Sequence, residues 1–171
     1  FAAAFEPGDA ISIDNAAKAI AAYERTQITP GSPYDRYVQG DKTALTAQQQ
    51  SGMKAFAETG CQACHSGAAF AGPALPMGSP FLQKFPLNAD SPYVAKYDLM
   101  ADKGRFESTK DPADEYMWRV PQLRNLTYTA PYLHNGSVKT IQEMVRLMAS
   151  VQLGKDLPPA DVENIAAFLT S

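Results

Sequence analysis

Cys61-Gln62-Ala63-Cys64-His65 is the stretch of this chain best equipped for chemistry. Two thiols three positions apart, with a histidine directly after the second, form the pattern by which a polypeptide takes haem covalently. Both thiols bond the porphyrin edge, and the imidazole ligates the iron. The motif therefore predicts a c-type cytochrome.

Two plainer readings of the same residues fare worse. A redox-active Cys-x-x-Cys pair follows a strand in a βαβ unit, whereas the flanks here carry helical signals. A structural zinc site needs four ligands, and the chain has two cysteines and two histidines, His65 and His134. One metal holding all four would span from 65 to 134, unlike the short paired spacings of zinc modules.

The chain has 171 residues, 45% hydrophobic and 19% charged, an ordinary globular balance. That length fits one domain and exceeds what a minimal haem-wrapping domain needs, so extra loops or a docking extension are expected. A net charge of −3 and a pI near 5.3 argue against nucleic acid as a partner. The haem motif uses both cysteines and leaves none for a disulfide. Covalent attachment to thiols implies maturation on the oxidising side of a membrane, so a periplasmic location is expected. No stretch approaches the roughly 18 consecutive apolar residues of a membrane span. The start, Phe1-Ala2-Ala3-Ala4-Phe5, has neither a methionine nor a signal-like region, which reads as a processed or excised piece of something longer.

The elements around the motif read as helices. Residues 12–27 form one, capped by Ser12 or Asp14, with Ile13, Ala16, Ala17, Ile20 and Tyr23 at helical spacing. Thr29-Pro30-Gly31-Ser32-Pro33 breaks it, and Tyr34, Tyr37 and Val38 follow as a short apolar patch. Residues 1–45 are thus expected to be a helical extension that packs on the haem domain or on a neighbour. Thr46-Ala47-Gln48-Gln49 is a capping box opening a helix with Met53, Phe56 and Ala57 on one face; Gly60 closes it in the left-handed conformation and delivers Cys61. Pro158-Pro159-Ala160-Asp161 opens a last helix with a stripe of Val162, Ile165, Phe168 and Leu169. Gly52 would let these two helices cross closely, with Phe56 meeting Ile165 and Phe168. Such a crossing of first and last helices defines an all-α, cytochrome c-like haem domain over 46–171.

Between them, residues 66–118 are rich in glycine and proline and show little periodicity. The stretch is expected to be a long irregular loop that wraps the haem or forms a docking surface, with Tyr93, Tyr97 and Phe106 as packing anchors. Trp118 and Tyr116 are read as aromatics filling space beside the porphyrin. Thr129-Ala130-Pro131-Tyr132-Leu133-His134-Asn135-Gly136-Ser137 is a rigid turn, followed by a second capping box, Thr140-Ile141-Gln142-Glu143. The helix after it carries Met144 and Met148. Iron in an electron carrier takes a sixth ligand, commonly a methionine sulfur or a second histidine, and six methionines leave the choice open.

Four blocks resemble the bacterial dihaem cytochrome c peroxidases. They are Ala19-Ile20-Ala21-Ala22-Tyr23-Glu24-Arg25-Thr26 with Ile28-Thr29-Pro30; Gly60 through His65; Val120-Pro121-Gln122-Leu123-Arg124-Asn125; and Thr129 through Ser137. The likeness runs over nearly all of the chain and matches the family's C-terminal half, which holds the high-potential, electron-accepting haem. In the family the methionine ligand follows the histidine of the Pro-Tyr-x-His turn by fourteen positions, which falls on Met148; His134 and Met144 are the alternatives. The resemblance thus implies one haem c held by Cys61 and Cys64 and ligated by His65 and Met148, with His134 a hydrogen-bonding group nearby that tunes it with pH. It also implies calcium bound partly by the carbonyls of Thr129 and Pro131, with the remaining ligands in another domain. The implied partners are a small soluble donor, a cytochrome c or a copper protein, and a second haem domain from the same precursor. The family's peroxide-cleaving haem lies in the N-terminal half, so this chain alone should pass electrons and not reduce peroxide. Arg25 and Arg124 are candidate propionate or docking contacts. The rival readings are a stand-alone monohaem carrier and a member of the related dihaem oxidases, whose distal ligand is a tyrosine.

Overall fold

In a computed structural model, residues 1–5, 10–76 and 78–171 are described. Met77, one of the six methionines, lies outside them. The chain divides into two compact units, 1–44 and 45–171.

The first unit holds two helices. α1 (Ile13–Glu24) starts where the Ser12 side chain accepts from the backbone N–H of Asn15, and ends three residues before the expected limit. α2 (Pro33–Val38) replaces the expected apolar patch. Ser32 and Asp35 form a reciprocal capping box around Pro33, which stands at the first helical turn and needs no N–H partner. A six-residue helix is too short to show periodicity, so the cap was its only signal. Neither helix buries a residue, and Ile13, Ile20 and Tyr23 are exposed.

The second unit is organised by the crossing of α3 (Ala47–Thr59) with α7 (Pro159–Leu169). α3 opens with the complete Thr46/Gln49 capping box and closes on Gly60 at φ 106°, a left-handed value that suits glycine. The crossing point is Gly52: a Cβ there would stand 1.8 Å from the Asn164 carbonyl oxygen. Only a residue without a side chain lets the two backbones meet this closely. Phe56 and Phe168, their rings 5.7 Å apart, fill the space beside it, and Val162 and Ile165 are fully buried.

α6 (Ile141–Leu153) packs against α7. Its Thr140 cap accepts from Glu143 N–H, but the Glu143 carboxylate does not return to the cap as the expected box requires. It accepts instead from Lys96 and Tyr97, which lie across the fold and offer charge-assisted bonds.

Residues 66–118 are not structureless. They contain β1 (Leu82–Lys84), which pairs antiparallel with β2 (Met117–Arg119) at the end of the stretch, and two short helices, α4 (Pro92–Lys96) and α5 (Phe106–Thr109). Elements of three to five residues fall below the window in which periodicity can be read, and the strand pair forms only by long-range pairing. The fold remains mostly helical with this small sheet. A buried cluster of Leu99, Val138, Leu147 and Val151 gathers Phe85, Tyr93, Tyr97, Tyr132, Met144 and Met148 around it. Tyr93 and Tyr97 thus anchor the segment as expected.

Candidate haem site

Gly60 turns the chain out of α3 into a single 3-10 turn, Cys61–Ala63. The amides of Cys64 and His65 both bond back to the Cys61 carbonyl, at 3.3 and 3.0 Å, so the two thiols and the imidazole share one compact turn. Both thiols are unpaired and half-buried. Burial pushes the Cys61 thiol above its ordinary value, against the Thr59 hydroxyl 3.4 Å away. Lys155 donates to the Thr59 carbonyl at 2.7 Å and fastens the end of α3 beside the motif.

The His65 ring is oriented through Nδ1, which lies 2.9 Å from the Phe70 carbonyl oxygen. An Nδ1–H donated there leaves Nε2 with its lone pair for a metal, the arrangement that fixes tautomer and orientation in ligating histidines. Burial lowers the imidazole's proton affinity, opposed by the Phe70 and Pro121 carbonyls, and so favours the neutral form that a ligand needs.

Phe70 itself is held by the helix crossing. Its ring meets Phe56 and Phe168 edge-on at 6.1 and 6.0 Å. The backbone at Phe70 is left-handed, φ 53°, which the aromatic packing must sustain. Nothing in the sequence marked Phe70 for this task. Arg124 completes the arrangement: Nε and Nη2 donate to the Ala68 carbonyl at 2.9 and 2.7 Å, and the guanidinium lies 5.4 Å from the Phe70 ring centre. The structure therefore places Arg124 as a pin of the 67–70 loop, where the sequence suggested a propionate or docking contact. A planar fork that both donates and stacks explains why arginine stands there.

The other predicted residues lie on the turn and helix beyond. Met148 and Met144 are half-buried on α6 and pack on the Val138–Leu147 cluster, a different packing group from the one that holds His65. The His134 ring lies tilted against Trp118, ring centres 4.4 Å apart, and its Nε2 lies 3.2 Å from Asp102 Oδ2. Nothing along the chain marks Asp102 as its partner. Thr129 and Pro131 are exposed on either side of Ala130, where the Ala130–Pro131 bond is cis. The turn is closed by paired bonds between Tyr132 and Val138. Among the described residues no cluster of three or more His, Cys, Asp or Glu could hold a metal ion by itself. The donor set, two free thiols and an oriented imidazole within one turn, fits covalent haem.

The chain has relatives among known proteins. The sequence profile of the family described as "Di-haem cytochrome c peroxidase" matches residues 1–43. The chain is 48% identical over 164 residues to the Cytochrome c551 peroxidase of Pseudomonas aeruginosa, covering 96% of this chain and 45% of that protein. It is 40% identical to the Cytochrome c peroxidase Ccp of Escherichia coli, over 92% of this chain and 32% of that protein. The chain thus spans less than half the length of these relatives. A solved structure of a MauG-like protein associated with microbial copper homeostasis shares the fold at a TM-score of 0.69 and 25% identity, over 94% of this chain and 57% of that one. With the Cys61–His65 motif, these likenesses establish that the chain belongs to the bacterial dihaem cytochrome c peroxidase family.

Proposed function

We propose that this chain is the electron-accepting half of a periplasmic dihaem cytochrome c peroxidase. It would carry one haem c bonded to Cys61 and Cys64, with His65 and Met148 as iron ligands. The observation that carries the reading is the His65 Nδ1 contact to the Phe70 carbonyl at 2.9 Å; an Nδ1–H donated there would leave the Nε2 lone pair for iron. When bound, haem c supplies one-electron iron chemistry, and a thioether ligand raises its potential. His65 and Met148 would both ligate the iron, and the chain's own task would be to take single electrons from a small soluble cytochrome or copper protein. Peroxide reduction falls to a companion haem domain of the same precursor. The exposed apolar residues of α1, Ile13, Ile20 and Tyr23, support such a neighbour for residues 1–45. Thr129 and Pro131 carbonyls would give calcium part of its oxygen shell, the rest coming from that companion.

The test is a haem count and ferric spectrum of the purified protein beside Met148→Ala. One haem per chain, a low-spin spectrum lost in the variant, and rapid reduction by a soluble cytochrome without peroxide turnover are expected. An unchanged Met148→Ala spectrum would remove the ligand assignment. Peroxide turnover by this chain alone would remove the division of labour.

A further inference from the structure

The helix that carries Met148 is held along its length by one segment of chain. Residues 84–97 run antiparallel to α6 and bond to it at both ends. At its C-terminal end, Gln152 Nε2 donates to the Lys84 carbonyl at 3.0 Å, and the Leu87 and Asn88 amides donate to the Val151 carbonyl at 3.1 and 2.8 Å. Asn88 Nδ2 donates to the Ser150 carbonyl at 3.2 Å. The Ser150 and Val151 carbonyls belong to the last helical turn, where no intrahelical donor exists, so the segment serves as the C-terminal cap of α6. Buried Ser91 adds a hydroxyl–hydroxyl bond to Ser150 at 2.7 Å. At the N-terminal end, Tyr97 Oη donates to Glu143 Oε1 at 2.7 Å and Lys96 pairs with the same carboxylate.

Helical geometry relates these bonds to the methionines. Glu143, Leu147 and Ser150 share one face of α6, and Met144 and Met148 lie on the adjoining face, about 100° round. Tyr93, Val94 and Tyr97 of the segment pack on the same buried cluster as both methionines. The two tyrosine rings are parallel, 6.3 Å apart.

We propose that residues 84–97 act as a clamp that holds the Met148 sulfur in position as sixth ligand, with Tyr97 and Ser91 as positioning residues. The inference rests on the reading that Met148 is that ligand. A thioether is a weak, neutral donor, so its hold on iron depends on how firmly its helix is kept in place. The clamp fixes α6 on both sides of Met148, five residues after Glu143 and two before Ser150.

The experiment titrates the ferric, haem-loaded protein with imidazole, which competes for the sixth position, and follows loss of the methionine-dependent charge-transfer band. Thermal unfolding of the same samples is recorded in parallel. Tyr97→Phe combined with Ser91→Ala should let imidazole displace the methionine at about tenfold lower concentration, the effect of losing two hydrogen bonds of ordinary strength. Tyr97→Phe alone should give a few-fold change, and it decides the question if the double variant does not fold. Glu143→Gln keeps an acceptor for Tyr97 and should stay closer to the parent than Tyr97→Phe. A lowered Tm with unchanged imidazole affinity would mean the segment only stabilises the fold, and would overturn the clamp. A Met148→Ala protein whose band and imidazole affinity match the parent would instead overturn the ligand assignment, and the clamp with it.

Discussion

The Phe70 carbonyl oxygen stands 2.9 Å from His65 Nδ1, and the Phe70 ring is wedged edge-on between Phe56 and Phe168. The orientation of the candidate iron ligand is thus transmitted from the α3–α7 crossing through one buried aromatic residue. Phe70→Ala should cost about 3–5 kcal/mol in urea unfolding of the haem-loaded protein, the usual range for an excised core phenylalanine. Phe70→Leu, which keeps most of the volume, should retain the greater part of that stability. If the alanine variant lost less than about 1 kcal/mol, the aromatic wedge would not be what holds the loop.

Gly52 fixes how closely the two helices approach. In Gly52→Ala the new Cβ would meet the Asn164 carbonyl oxygen at 1.8 Å, a clash with backbone that no rotamer relieves. The loss should reach or exceed the roughly 1–3 kcal/mol typical of overpacking. Gln48→Ala, an exposed change one turn earlier, should stay within about 0.5 kcal/mol. Equal midpoints for the two variants would refute the close crossing.

Arg124 should not be replaceable by lysine. The guanidinium donates twice to the Ala68 carbonyl and stacks on Phe70, and an ammonium cannot do both. In Arg124→Lys the Leu123 amide, which bonds to Ala69 at 3.1 Å, should exchange its hydrogen faster than in the parent. Unchanged protection there would assign the loop's order to other contacts.

Acid should loosen the contact of α4 with α6. The Lys96 ammonium, and after it the Tyr97 hydroxyl, hold the Glu143 carboxyl below its ordinary value. A depressed carboxylate contributes stability that is present above its unfolded-state value and lost as pH falls through its folded value. The Glu143 bond likewise raises Lys96 and Tyr97, whose contributions are present below their unfolded values and fade as pH rises through the folded ones. The Tm difference between the parent and Glu143→Gln should therefore be greatest near neutrality and shrink toward pH 3. A difference independent of pH would show that the pairing adds nothing to stability.

Much of the fold could be read from local signals. The Thr46/Gln49 box, left-handed Gly60 and the Pro159 start each depend on a few adjacent residues, and each stands where the sequence puts it. Gly52 was legible because a small residue amid a helical stripe has few other uses. The Thr140 box was half right: the hydroxyl caps as written, but Glu143 found stronger, charge-assisted donors in Lys96 and Tyr97, which no local window contains.

By itself the sequence determined the haem motif and the helices on either side of it. Thiol spacing, caps and apolar periodicity are properties of neighbours along the chain. Only the tertiary structure decided what orients His65, what Arg124 binds, that Asp102 faces His134, and that residues 84–97 line α6. Each of these joins groups that lie far apart in sequence, except the Phe70 contact. There the donor and acceptor are five residues apart, but the left-handed backbone at Phe70 is held by rings from α3 and α7. A carbonyl carries no sequence signature, because every residue has one; which carbonyl meets the imidazole is settled by packing alone.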